Sequence, residues 1–184
     1  MIRKATENDI PRVEAGYLEH LRHEQAHTAY TVWKEGVYPT KQTALDALAE
    51  GSLYVMDDPE GTGADCVPSI ASVIADQKQP AAYADIDWSC PAEPEDVLVI
   101  HLLCVPPSLA GRGIGSSIVR FLIDEARAGG YQTVRLDTGG QNIPAASLYR
   151  KLGFRLEGTG GFAVGGVISH ANHLFFEYPL QERG

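Results

Sequence analysis

The chain has 184 residues, 44% of them apolar and 21% charged, which suits one domain with a buried core and excludes the hydrophobe-poor composition of a disordered protein. Its 15 basic and 24 acidic residues leave a net charge of −9, a field that repels phosphate backbones and anionic lipid, so neither nucleic acid nor a membrane is an expected partner. The opening Met1 to Asp9 carries charges where a signal peptide needs an apolar stretch, and no run approaches the ~20 apolar residues of a spanning helix, so a cytoplasmic protein is expected.

In chain order, Ile10, Val13, Tyr17 and Leu21 recur at helical spacing after a start marked by Thr6, Asn8 and Pro11. A loop bearing Tyr30, Trp33 and Tyr38 follows, then a second helix from Thr40 to Glu50, closed by Gly51. Leu53 to Met56 and Ile70 to Ala75 read as strands around a turn at Asp57 to Gly61 with an irregular extension through Val67. The Pro- and acid-rich stretch Lys78 to Asp96 reads as a loop, with a short strand around Asp85 to Trp88. Val97 to Val105 is apolar at every position except His101, as in a strand covered on both faces. After a Gly-rich loop, a helix from about Gly113 to Ala128 and a strand from Thr133 to Asp137 complete a parallel crossover unit. A helix from Pro144 to Leu152, stopped by Gly153, precedes a last strand, Leu174 to Tyr178, with His170 and His173 in a flanking loop. Cys66, Cys90 and Cys104 never stand as C-x-x-C, so neither a disulfide framework nor a zinc knuckle is expected, and Cys104 reads as an inert core thiol.

The chemistry concentrates in Ala110-Gly111-Arg112-Gly113-Ile114-Gly115-Ser116-Ser117. At a helix mouth, free N–H groups and the positive dipole end favour an anion, and glycines let the backbone approach phosphate oxygens. The string is not a Walker loop, and a dinucleotide turn with Asp137 as ribose ligand fails because the glycines spell G-x-G-x-G and lie six residues beyond Val105.

Residues from about 97 to 157 resemble the GNAT superfamily of N-acetyltransferases. Leu103-Cys104-Val105 and Gly113-Ile114-Gly115 are similar to its strand end and pyrophosphate loop, with Ala110 where the family prefers Gln or Arg, and Arg112 beside it as a source of charge. Asn142 to Phe154 is similar to its N-x-x-A-x-x-L-Y-x-K-x-G-F signature. The resemblance implies a mixed sheet of about six to seven strands flanked by about four helices in a single domain. It implies acetyl-CoA as cosubstrate, held by Leu103, Cys104, Val105, the loop Gly111 to Ser116, Asn142 and Tyr149. It further implies direct transfer to a small-molecule or peptide amine, with Tyr149 protonating the departing sulfur. No metal is expected, and a homodimer is compatible with the sequence.

A primary ammonium of pKa ~10.4 must lose a proton before it can attack. His101 is the candidate base: an unpartnered polar group in a buried strand costs free energy, and by strand alternation it shares a face with Val99, Leu103 and Val105. The alternative is a structural histidine bonded to a backbone carbonyl or to a carboxylate such as Asp87. Tyr30, Trp33, Tyr38 and Trp88 are candidates to line the acceptor pocket. Two other function classes stay open: a zinc-dependent hydrolase using His23-Glu24-Gln25-Ala26-His27, and a catalytically silent acyl-CoA sensor. Against zinc, His23 and His27 lie about 140° and 100° around the helix from the stripe begun by Ile10.

Overall fold

The computed structural model describes residues 1–56 and 69–180. The turn expected at 57–61, its extension and Cys66 lie outside the described residues. Strands β1 (Ile2–Lys4), β2 (Leu53–Met56), β3 (Ala71–Asp76), β4 (Val97–Cys104), β5 (Thr133–Gly139), β6 (Arg155–Val164) and β7 (Ile168–Pro179) form one sheet. Their order is β1-β2-β3-β4-β5-β7-β6. Among the described residues only the central β4–β5 pair is parallel, as expected of a strand–helix–strand crossover. Helices α1 (Ile10–Ala26), α2 (Lys41–Ala49), α3 (Ile114–Ala128) and α4 (Ile143–Lys151) cover its faces, matching the expected α/β architecture. No helix among the described residues is long and apolar enough to cross a membrane.

One face buries Ile118 and Leu122 of α3 and Ala146 and Tyr149 of α4 against Val73, Leu98, Ile100, Val134, Leu136 and Phe176. The other packs Val13 and Tyr17 of α1 and Ala44 of α2 on Leu53, Ile74, Leu102 and Cys104. Further along that second face, Val97, Val99 and Phe175 meet Tyr83. Local capping sets where the helices begin. Thr40 Oγ1 accepts from the Thr43 N–H ahead of α2, and Asn142 Oδ1 accepts from the Ala145 N–H ahead of α4.

Two expectations need correction. No strand forms around Asp85 to Trp88: a 3-10 turn, Ala81–Asp85, is followed by irregular chain. His170 and His173 stand inside β7 instead of a loop, because β7 extends to twelve residues by pairing along most of its length with β6, a strand absent from the sequence reading. Arg155 to Val164 carries five exposed residues and three glycines, Gly158, Gly160 and Gly161, so no alternating apolar signal announces it.

The strands flanking the site are irregular. Between Ile74↔Leu102 and Ala75↔Ile100 the β3–β4 register slips, leaving His101 as the inserted residue of a β-bulge. Alternation therefore breaks at His101: Leu98 and Ile100 face α3 together with Leu103 and Val105, while Val99 faces the opposite side. The expectation that His101, Val99, Leu103 and Val105 share one face is thereby overturned. A second slip, from Gly160↔His173 to Phe162↔His170, inserts one residue into β7 between its two histidines.

Candidate active site

The parallel β4–β5 ladder ends at Ile100↔Leu136, although β4 runs on to Cys104 and β5 to Gly139. The strands part there, and a cavity of about 420 Å³ opens through the sheet between them. Leu103, Val105, Ile114, Gly115, Leu148 and Tyr149 line it on the α3/α4 side. His20, Trp33, Tyr38, Asp137, Val164 and His173 line it on the other.

On the α3/α4 side the groups offered are mostly backbone. Beyond Ile100 no β5 residue pairs with β4, so that edge is open to an extended ligand. Gly113, at φ 73°, is the N-cap of α3, and no side chain caps the helix. The first helical bond runs from Ser117 N to Gly113 O, so the N–H groups of Ile114, Gly115 and Ser116 come before it and remain available to an anion. A Cβ on Gly113 would meet nothing within 4 Å, which leaves the approach open. Together the open strand edge and bare helix mouth fit the extended arm and pyrophosphate of an acyl-CoA. Tyr149 is buried, and burial followed by the nearby Asp137 charge pushes its hydroxyl well above the usual phenol range, so it holds its proton at neutral pH.

On the opposite side the groups are side chains. Trp33 meets Tyr38 edge-on at 6.4 Å and tilts against His20 at 5.0 Å. Tyr38 in turn packs on Gly165 in the β6–β7 turn so closely that a Cβ there would overlap its ring. Asp137 sits at the centre. Its Oδ1 accepts from the Tyr83 hydroxyl at 3.0 Å, and its Oδ2 stands 3.4 Å from His173 Nε2. Burial pushes the Asp137 carboxyl up to about 7, against the Tyr83 hydrogen bond and the His101 charge, both of which favour ionisation. Its side chain is only 8% exposed, so the carboxylate carries little of its usual hydration. Burial, and then His170, pushes His173 down to about 4, so that ring is neutral at pH 7.

Of the expected residues, Tyr149, His101, Leu103, Val105, Asn142, Trp33, Tyr38 and most of the Gly-rich loop come together around this cavity. His101 Nε2 is engaged by Asp76 Oδ1 at 2.7 Å, so its carboxylate partner is Asp76 and not Asp87. Burial would raise Asp76, but the hydrogen bond and charge of His101 outweigh it and hold that carboxyl below its ordinary value. Four residues stand elsewhere. Trp88 lies under the Arg135 guanidinium, 4.3 Å from its ring centre, and donates to Tyr83 O, because Arg135 and Glu177 form a buried pair that ties down the Cys90 loop. Tyr30 is exposed at the end of α1, its N–H bonded to Glu24. The Cys104 side chain points to the Gly16 carbonyl on the α1 face, outside the cavity lining, and burial pushes its thiol up. Arg112 is exposed outside the cavity lining.

The His23-Glu24-x-x-His27 string is built for structure. Glu24 is buried and accepts from Tyr30 N, Thr31 N and Thr31 Oγ1. Burial would raise its carboxyl, but hydrogen bonds from His20, Thr31 and the Tyr30 and Thr31 N–H groups outweigh it and hold it at about 2. His23 and His27 are exposed and stack on each other at 4.3 Å. Among the described residues no three His, Cys, Asp or Glu side chains gather as a metal cluster.

Asp137, His173, His170, Tyr83 and Asp76 were missed as site residues by sequence reasoning. Asp137 carried one signal, its place at the end of the strand after the Gly-rich helix, where the α/β crevice rule looks for ligand groups.

A family model described as the acetyltransferase (GNAT) family matches residues 18–154. Human N-acetyltransferase 8B is 34% identical over 92 residues, covering 49% of this chain and 40% of that protein. The matched stretches span 31%, 40% and 33% of the lengths of three such relatives. A GNAT-family acetyltransferase from Streptococcus agalactiae superposes with a TM-score of 0.78 at 18% identity, covering 100% of this chain and 96% of that one. The structure of yncA from Salmonella typhimurium, solved with its cofactor acetyl-CoA, has a TM-score of 0.64 at 19% identity, covering 100% and 95%. The family model spans most of the chain, and the chain belongs to the acetyltransferase (GNAT) family.

Proposed function

We propose that the protein moves an acetyl group from acetyl-CoA to a primary amine by direct attack, both substrates bound at once. The observation that carries the reading is that a single cavity crosses the sheet, with backbone anion donors and Tyr149 on one side and the buried carboxyl of Asp137 on the other. Acetyl-CoA supplies an activated acetyl thioester. The N–H groups at the start of α3 receive its pyrophosphate, and the open β4 edge at Leu103 to Val105 pairs with its pantetheine arm. Asn142 fixes the start of α4 and thereby the position of Tyr149.

The acceptor amine enters past Trp33 and Tyr38. Asp137 takes its proton: a carboxyl near 7 is matched to operation at neutral pH, and a partly dehydrated carboxylate is a stronger base than one in water. Tyr149, protonated at neutral pH, gives a proton to the departing sulfur. His101, held by Asp76, contributes a fixed polar group at the bulge and favours the ionised form of Asp137. This reading replaces His101 by Asp137 as the base. The net charge of −9 favours a cationic acceptor, a small molecule or a peptide amine.

The test is CoA release from acetyl-CoA across a panel of amines, amino acids, polyamines and peptides, with the product identified by mass. Amine-dependent release that falls in Asp137→Asn is expected. Acetyl-CoA binding without turnover on any acceptor would make the protein a sensor. Stoichiometric zinc lost together with activity in His23→Ala would make it a hydrolase.

A further inference from the structure

Once Asp137 has taken a proton it must release it before the next turnover, and its surroundings block most exits. Tyr83, from the 3-10 turn, already donates to Oδ1 and is raised by burial, so it offers no lone pair suited to a proton. Tyr38, half-buried in the loop before α2, and Tyr149, buried on α4, are phenols that desolvation raises above their ordinary range. His101, from β4, is tied to Asp76. Arg135, two residues earlier on β5, is engaged with Glu177 and the Cys90 carbonyl. Among the described residues, the remaining titratable partner of Asp137 is His173 of β7, 3.4 Å away through Nε2.

His173 does not stop there. Its Nδ1 lies 2.7 Å from Nδ1 of His170, so one of the two nitrogens donates and the other accepts. His170 is half-buried and reaches towards solvent, whereas His173 is 4% exposed. Two residues three apart on a regular strand point to opposite faces. Here the bulge between Gly160↔His173 and Phe162↔His170 inserts a residue and turns both imidazoles to one side. Phe162 of β6 stacks flat on His173, 4.6 Å between ring centres and 17° between planes, and fixes that ring's orientation.

We propose that His173 and His170 form a proton exit from Asp137 to solvent, set up by the β7 bulge; this rests on the reading of Asp137 as the base. In the tautomer with His173 protonated on Nδ1, one passage is a chain of three transfers. The Asp137 Oδ2 proton moves to His173 Nε2, the His173 Nδ1 proton moves to His170 Nδ1, and the His170 Nε2 proton leaves to water. One proton enters and one leaves, and both rings end neutral but in their other tautomers, which must be restored by proton exchange with water before the next passage. His173 therefore relays without storing charge, which suits a ring that burial keeps from forming an imidazolium. The gap of 3.4 Å closes to hydrogen-bonding distance as Oδ2 becomes protonated and turns from acceptor to donor.

The test compares His170→Ala, His173→Gln and Asp137→Asn in the full chain, with CoA release measured at saturating acetyl-CoA and acceptor in a weak and a strong small-molecule buffer. His170→Ala removes a half-exposed ring, and an unchanged melting temperature and acetyl-CoA thermal shift would establish that its fold is intact. We expect kcat of that variant to fall about tenfold or more and to be restored, saturably, by millimolar imidazole, while the parent is unaffected by imidazole. His173→Gln should lose rate similarly without rescue, because imidazole cannot reach a buried ring. Unchanged kcat in His170→Ala, or a loss that imidazole leaves untouched, overturns the exit. If Asp137→Asn alone retains parental kcat, it is the base assignment that fails; if Asp137→Asn loses rate while both histidine variants keep it, the base stands and the exit falls.

Discussion

The half of the cleft on the α3/α4 face draws its lining from two nearby stretches, residues 103–116 and 144–149, and offers mostly backbone groups. The opposite half draws on α1, the 30–38 loop, β5 and the β6–β7 hairpin, and offers rings and a carboxyl. The first needs only a strand edge and a bare helix start, so its chemistry survives changes of side chain as long as the glycines remain. The second depends on burial and on the mutual placement of titratable groups, so single side chains govern its rate and its pH response. The proposed function thus puts donor binding and control of the proton in separate parts of the molecule, and substitutions should separate them.

The largest expected effect is in the backbone half. Gly113→Asp places a carboxylate in the anion cradle and should abolish the rise in melting temperature that millimolar acetyl-CoA gives the parent. Gly113→Asn, which tolerates the left-handed conformation without charge, should keep a reduced shift. If both variants behave like the parent, the pyrophosphate is not held there.

Asp137→Asn should leave the acetyl-CoA shift intact and lower kcat/KM by about 10²- to 10⁴-fold. In the parent, kcat/KM should rise with pH through about 7 as Asp137 ionises, and the variant should lose that limb. Stability should move the other way. The folded-state value of about 7 lies above the ordinary 3.8, so this group's contribution is fully present below pH 4 and is lost as pH rises through 7. The melting temperature of Asp137→Asn should therefore exceed that of the parent increasingly from pH 4 to pH 8, by roughly 2–4 °C for each kcal/mol of desolvation relieved. A melting-temperature difference independent of pH would mean that the carboxyl titrates normally.

Tyr149→Phe should lower kcat by about ten- to a hundredfold with acetyl-CoA binding unchanged, a moderate loss because a thiol of pKa ~8.5 is already a fair leaving group. An unchanged kcat would return Tyr149 to the core, where it tilts against Phe154 and Phe176 at 5.9 Å. The smallest contrast is between tryptophans. Trp33→Ala should raise the acceptor KM by about tenfold with little change in the acetyl-CoA KM, whereas Trp88→Leu should leave both within about twofold. Equal effects from the two would show that Trp88 reaches the acceptor through the Arg135–Glu177 pair.

The α3/α4 half was legible because it is local. The glycines from Gly111 to Gly115 must sit where strand meets helix, and Asn142 caps a helix whose Ala146 and Tyr149 share a buried face. Trp88 misled because an aromatic ring in an acidic loop suggests a ligand pocket, while the buried guanidinium it covers comes from a strand 47 positions later in the sequence. Arg135 and Glu177 were likewise silent, since each looks like an ordinary surface charge until β5 and β7 pair at that position.

By itself the sequence determined the parallel strand–helix–strand centre, the glycine-led helix start and the place of Tyr149 on its helix, which follow from apolar periodicity, glycine conformation and helix capping within short stretches; the mixed sheet and the acyl-CoA ligand came from the family resemblance. Only the tertiary structure decided which titratable groups meet in the cleft. Asp137 acquires its raised pKa from burial, which outweighs the Tyr83 hydrogen bond, and burial is a property of the assembled layers. Side-chain direction in a strand can be read from alternation only while the register holds, and it slips at His101 and again between His170 and His173. One inserted residue in each strand reverses every face beyond it, and the partner strand, too distant in sequence to be seen from either segment, decides where that insertion falls.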